Sequence, residues 1–158
     1  MGPAQGVAAA GEAQAIGARP LRVILDSNVL LSALIRVDSK PYKLVHAWLD
    51  GRFELVSSEA QLEELRRASR YEQLRRYFAP AEIGWLINRI RERAFLVKRL
   101  PRVDVAGDPG DNYLLAMAAA SEAQYLVTGD KSDLLALEQH RSTRLVTVQA
   151  LVSTLKLR

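Results

Sequence analysis

The sequence predicts an α/β fold, a three-layer α/β/α sandwich around a central, mainly parallel sheet. Two observations point there. Short apolar runs, β-branched in part, recur at 21–25, 53–56 and 125–128, each of a length that suits a buried strand. Between them lie segments whose apolar residues fall at helical spacing. Strands that alternate with helices imply parallel pairing with both sheet faces covered. At 158 residues the chain suits one domain over 21–158. Residues 1–20, rich in Ala and Gly, read as a flexible tail or an over-extended start.

Each element has a local cause. Pro20 leads into the first run, and Asp26-Ser27-Asn28 closes it with polar residues. Residues 29–35 are apolar almost throughout and predict a short helix packed on that strand. Ser39 caps the next helix and Pro41 opens it; it runs to about Asp50, where Gly51 stops it. After the strand at 53–56, Ser57 or Ser58 caps a helix with Leu62 and Leu65 on one face, and a basic run from Arg66 to Arg76 follows. Pro80 opens an amphipathic helix carrying Ile83, Leu86, Ile87 and Ile90. Residues 95–97 fit either a strand or the end of that helix. Asp108-Pro109-Gly110-Asp111 predicts a turn and helix start, and 113–120 is apolar on nearly every side, as in a buried helix. The strand at 125–128 ends at Gly129-Asp130. A short helix near 134–137, a strand near 145–148 and a terminal helix complete the order.

Composition narrows the chemistry. With 49% apolar and 25% charged residues, a mainly disordered or collagen-like chain is excluded. The absence of cysteine excludes disulfides, thiolate catalysis and zinc sites with cysteine ligands. His46 and His140 are the only histidines, so a metal must be held mostly by carboxylates, which favours magnesium or manganese. No apolar run approaches the ~20 residues of a membrane span, and residues 1–20 lack the basic and apolar regions of a signal peptide. The expected location is the cytoplasm, away from membranes.

Charge is uneven along the chain. Residues 59–102 hold eleven Lys/Arg against six Glu, whereas 103–133 hold six acids against Lys131 alone. A basic middle beside an acidic segment suits a polyanion-binding surface next to a cation site; the plainer alternative is two solvated helices and an acidic loop.

In parallel sheets ligands collect at the carboxyl ends of strands. Asp26 directly follows the first strand, and Asp130 follows the strand at 125–128 after one glycine. Asp111 stands at the start of the buried helix, and Glu63 and Glu64 on the helix after the second strand. Clustered carboxylates repel one another unless a divalent cation sits among them. Each acid also has a plain structural use. Asp26 and Asp108 are good helix caps, the latter with Asp111 in a capping-box arrangement. Glu63 and Glu64 have Arg67 and Arg70 within reach, and Asp133 suits the cap of a helix starting at Leu134. Glu64, bordered by Leu62 and Leu65, is the better candidate of its pair.

Taken together, these segments resemble the PIN-domain family. Leu25-Asp26-Ser27-Asn28-Val29-Leu30 looks like its opening, and Ser58-Glu59-Ala60-Gln61-Leu62-Glu63-Glu64-Leu65 is similar to its helix bearing the second acid. Asp108-Pro109-Gly110-Asp111-Asn112 and Leu126-Val127-Thr128-Gly129-Asp130 look like its third and fourth elements. The four occur in order over about 21–152, and the resemblance is nearest to VapC-like toxin components of toxin–antitoxin systems. It implies a magnesium-dependent ribonuclease, with manganese as substitute. Asp26, Glu64, Asp111 and Asp130 match the acidic quartet, Thr128 a supporting hydroxyl, and Asn28 a polar neighbour of the first acid. The family's Thr-Gly-Asp-Lys-Asp is interrupted here, because Ser132 separates Lys131 from Asp133. Asp108 and Asp133 are accessory candidates.

The resemblance implies metal-assisted hydrolysis of an RNA phosphodiester, an antitoxin partner, and a homodimer as a common family state. Arg66, Arg67, Arg70, Arg75 and Arg76 are candidates for phosphate contacts. Tyr71 and Tyr77 interleave with them; packing against the domain is the expected role of both rings, and stacking on bases the alternative. The competing readings are a non-catalytic RNA- or partner-binding module and a metal-dependent DNA nuclease. A haloacid-dehalogenase-type phosphohydrolase needs a second acid two residues after Asp26, where this chain has Asn28.

Overall fold

The computed structural model describes residues 20–129 and 132–158, so the tail expected over 1–20 lies outside it but for Pro20. The elements in order are β1 (Arg22–Leu25), α1 (Ser27–Ile35), α2 (Lys40–Leu49), β2 (Glu54–Ser58), α3 (Glu59–Ala68), α4 (Glu72–Arg75), α5 (Pro80–Arg93) and β3 (Phe95–Val97). A 3-10 turn (Pro109–Asp111) then leads to α6 (Asn112–Ser121), β4 (Tyr125–Thr128), α7 (Ser132–Leu135), β5 (Gln139–His140), β6 (Thr143–Thr147) and α8 (Val148–Leu155).

Among the described residues the sheet has six strands in the order β3-β2-β1-β4-β6-β5. Every neighbouring pair is parallel except β5 with β6. The expected three-layer sandwich is therefore the observed one. Alternation along the strands divides the core: Val23 and Leu25 of β1, Leu55 of β2 and Val127 of β4 join the cluster under α1, α2, α3, α5 and α8. Ile24, Val56 and Leu126 face the other way, onto Leu114, Leu115 and Met117 of α6 and Leu134 of α7. Because α6 faces the middle of the sheet, residues 114–118 are all buried, each large one contributing about 1.5–3 kcal/mol.

Local signals act as expected at most boundaries. The Ser39 hydroxyl accepts from Tyr42 N–H at 3.3 Å, and Ser58 accepts from Gln61 N–H at 3.3 Å. Gly51 stops the chain after α2 with φ of 83°, a backbone glycine adopts without strain. Residues 95–97 form a strand, because they extend the sheet beside β2 with Ser57 paired to Leu96. The same pairing carries β2 two residues beyond the expected end at 56. The β5–β6 hairpin is an addition, its two-residue strand too short to show a period. The short helix after β4 begins at Ser132, which puts Asp133 inside its first turn rather than at its cap. Among the described residues no helix is long and apolar enough to cross a membrane.

Candidate metal-dependent nuclease site

Asp26 follows β1 at the carboxyl edge of the sheet and is 2% exposed. Its N–H donates to the Val127 carbonyl at 3.0 Å, which continues the β1–β4 pairing one step beyond Leu25. One carboxylate oxygen, Oδ1, accepts from Val29 N–H at 2.9 Å. Helix capping thus fixes this carboxylate at the strand end. The next position along β4 is Thr128, fully buried, whose Oγ1 has no hydrogen-bond partner among the described residues.

Glu64 reaches the same edge from α3. That helix is tied to β1 by Gln61, which is fully buried. Its Nε2 donates to the Leu25 carbonyl at 2.8 Å, and its Oε1 accepts from Ser57 Oγ at 2.6 Å. Glu64 is partly exposed and pairs with Arg67 at 3.7 Å, while Glu63 pairs with Arg66 at 3.2 Å and points to solvent. Both pairings use the i,i+3 spacing.

Asp111 closes the 3-10 turn ahead of α6. Asp108 caps that turn, accepting from Gly110 N–H at 2.9 Å. Asn112 Oδ1 accepts from Val105 N–H at 3.2 Å and Ala106 N–H at 2.9 Å, holding the preceding loop to the helix. Asp133 packs against that loop so closely that a Cβ on Gly107 would lie 3.0 Å from its carboxyl carbon. Asn28 is exposed on the first turn of α1, and Asp130 lies outside the described residues.

Tyr113 joins these acids. Its hydroxyl lies 2.8 Å from Ser27 Oγ. Burial holds its phenol well above the usual range; the Ser27 hydrogen bond opposes this, while the charges of Glu64, Asp26 and Asp111 add to it. Three carboxylates from three separate elements thus act on one hydroxyl. Neither Tyr113 nor Ser27 nor Gln61 stood out in the sequence. The available signals were Ser27 beside Asp26 and a phenol at the head of an otherwise apolar helix.

Among the described residues no three Asp, Glu or His side chains close into a metal-holding group. In kind the donors fit a hard cation: carboxylate oxygens near the carboxyl edge of the sheet and a buried hydroxyl with no partner among the described residues.

Beyond Glu64, Arg67, Arg70, Arg75 and Arg76 are exposed and Arg66 is partly so. Contrary to expectation, Tyr71 and Tyr77 do not pack into the domain; they are 45% and 49% exposed. The cause is α4, a four-residue helix with no buried residue, which leaves this segment on the surface. The Arg76 guanidinium stands over the Tyr77 ring at 5.6 Å.

The fold resembles the structure of VapBC2 from Rickettsia felis bound to a DNA fragment from their promoter. That match has a TM-score of 0.52 and 12% identity, over 80% of this chain and 98% of that one. A further similarity is to the PIN-domain endonuclease Utp24, with a TM-score of 0.48 and 14% identity, over 81% and 85% of the two chains. No curated protein sequence matches. The PIN-domain family model matches residues 22–132, most of the chain and every element that reaches the acidic edge. By that match the chain belongs to the PIN-domain family, whose members are in general metal-dependent nucleases.

Proposed function

We propose that the protein is a magnesium-dependent endoribonuclease that hydrolyses RNA phosphodiester bonds and acts in the cytoplasm as the toxin of a toxin–antitoxin pair. The observation that carries the nuclease reading is the placement of the acids: Asp26 directly after β1, Glu64 on α3, which Gln61 ties to the end of β1, and Asp111 ahead of α6. Asp26, Glu64, Asp111 and Asp130 would hold the cation, with manganese as a substitute for magnesium. When bound, it supplies positive charge to the scissile phosphate and acidifies water.

The chain's own groups do the rest. Val29 N–H fixes one oxygen of Asp26 and so sets the direction in which the other is presented. Thr128, buried one step along the adjacent strand, offers a hydroxyl to water or to an acid. Glu64 and Arg67 are paired at 3.7 Å on the surface, an arrangement of low cost to open. Opening it frees Glu64 for the cation and Arg67 for phosphate. Arg66, Arg70, Arg75 and Arg76 extend that basic surface, and the exposed rings of Tyr71 and Tyr77 suit unpaired bases rather than a duplex.

The toxin role is supported by the run of VapC-like motifs. It brings with it a cognate antitoxin that covers the acids, for which an arginine is the natural counter-group, and a homodimer.

The test is cleavage of a mixed single-stranded RNA pool by purified protein with Mg²⁺, with Mn²⁺ and with EDTA, beside Asp26→Asn. Metal-dependent cutting lost in the variant is the expected result. Cutting of DNA but not RNA would replace the substrate, and binding without cutting of either would replace the enzyme by a binding module.

A further inference from the structure

Helices α1 and α6 lie on opposite faces of the sheet, the first packed in the cluster with Val23 and Leu25, the second in the cluster with Ile24. Each begins beside an acid: Asp26 precedes α1 and Asp111 precedes α6. Two carboxylates carried by different layers have no shared stretch of backbone to fix their separation.

Among the described residues, a side-chain hydrogen bond crosses between these two helix starts. Ser27 is the first residue of α1 and 7% exposed. Tyr113 is the second residue of α6, and its ring packs against the core on that side. Their hydroxyls meet at 2.8 Å. Packing alone does not call for either hydroxyl, since Ala and Phe would fill the same space, and placing two polar groups here has a desolvation cost. Their position relative to the acids supplies a reason: each hydroxyl is one or two residues from a carboxylate, so fixing one fixes the other.

We propose that Ser27 and Tyr113 are positioning residues, whose hydrogen bond latches the starts of α1 and α6 and sets the spacing of Asp26 and Asp111 for a divalent cation. The latch rests on the cation-site reading above. Neither hydroxyl needs to touch the cation; each acts through its neighbouring acid, as partners outside the ligand shell do elsewhere.

The experiment measures Mn²⁺ affinity by titration calorimetry for the wild type, Tyr113→Phe, Ser27→Ala, the double variant, Ser27→Thr and Asp26→Asn, with melting temperatures recorded in EDTA. Removing either hydroxyl is expected to weaken Mn²⁺ about 10-fold, and the double variant to lose no more than a single one, because both break the same bond. Ser27→Thr, which keeps the hydroxyl, is expected to retain wild-type affinity. In RNA cleavage the losses should fall on kcat, with KM unchanged. Should Tyr113→Phe fold poorly, Ser27→Ala carries the same test through a smaller change.

Wild-type Mn²⁺ affinity in the single variants, with or without a lower melting temperature, would overturn the latch and leave only a structural bond. Additive losses in the double variant would overturn it as well. If the wild type binds no Mn²⁺ and Asp26→Asn changes nothing, the cation site itself falls, and the latch with it.

Discussion

At the amino end of β1, Arg22 is held by three hydrogen bonds and a ring contact, whereas just beyond its carboxyl end stands the buried acid Asp26, beside a strand carrying a buried hydroxyl. Arg22 Nε donates to Glu54 at 2.7 Å and its NH1 to the Ser121 carbonyl at 3.0 Å. Its guanidinium lies 4.1 Å from the centre of the Phe95 ring, and its backbone N–H donates to Gln124 Oε1 at 2.8 Å. These contacts tie β1 to β2, to β3 and to the segment between α6 and β4. At the other end Thr128 Oγ1 is buried with no partner among the described residues, and burial, with a smaller contribution from three carboxylates, holds the Tyr113 phenol above its usual range. One strand thus shows the two uses of polar groups at a sheet edge. At one end an ion pair and hydrogen bonds staple neighbouring elements together, and at the other carboxylates from separate parts of the chain collect where a ligand can use them.

Neutralising one member at each end of β1 separates the two roles. Asp26→Asn is expected to lower RNA cleavage at least about 100-fold, since a direct ligand should matter no less than an outer partner. Its urea midpoint should stay within about 1 kcal/mol of wild type, because Asn caps a helix as well as Asp. Arg22→Met should do the reverse. It keeps the apolar stem but loses an ion pair, a carbonyl hydrogen bond and the ring contact, for a loss of about 2 kcal/mol in urea unfolding. Its cleavage rate at saturating metal should be unchanged. Equal damage to stability at both ends would erase the distinction.

A smaller effect is expected at Thr128. Thr128→Val replaces a buried hydroxyl that has no partner among the described residues by a methyl group of like shape, so stability should hold or rise by up to about 1 kcal/mol. Cleavage should nevertheless fall several-fold, separating a group kept for function from one kept for folding.

The smallest effect comes from a group remote from both ends. His140, on the edge strand β5, has its pKa lowered by burial and by Arg141. Its neutral form is favoured in the folded chain, so its contribution is fully present above the ordinary histidine value of 6.5. As pH falls below that value the unfolded chain takes up the proton first, and the contribution is lost through the folded pKa. Urea midpoints measured downward from pH 7 should decline less in His140→Asn.

Much of the fold was legible because its signals are local. Ser39, Ser58 and Asp26 cap helices by reaching three residues ahead, and the apolar spacing of Ile83, Leu86, Ile87 and Ile90 needs only its own helix. β5 escaped because two residues carry no period, and the fate of 95–97 stayed open because only pairing with β2 decides it. The exposure of Tyr71 and Tyr77 escaped for a related reason: an aromatic ring packs wherever neighbours offer a surface, and a four-residue helix offers none.

The candidate site divides along the same line. Residue order alone determined that Asp26 and Asp130 follow strands and that Glu64 and Asp111 ride on adjoining helices, and parallel connectivity directs such positions to one edge. Tertiary structure alone decided that β1 lies between β2 and β4, that Gln61 ties α3 to the end of β1, and that Tyr113 reaches Ser27 across the sheet. Those contacts join residues 36 and 86 positions apart. Periodicity and capping act over a turn or two of chain, whereas such pairings exist only after the layers have packed.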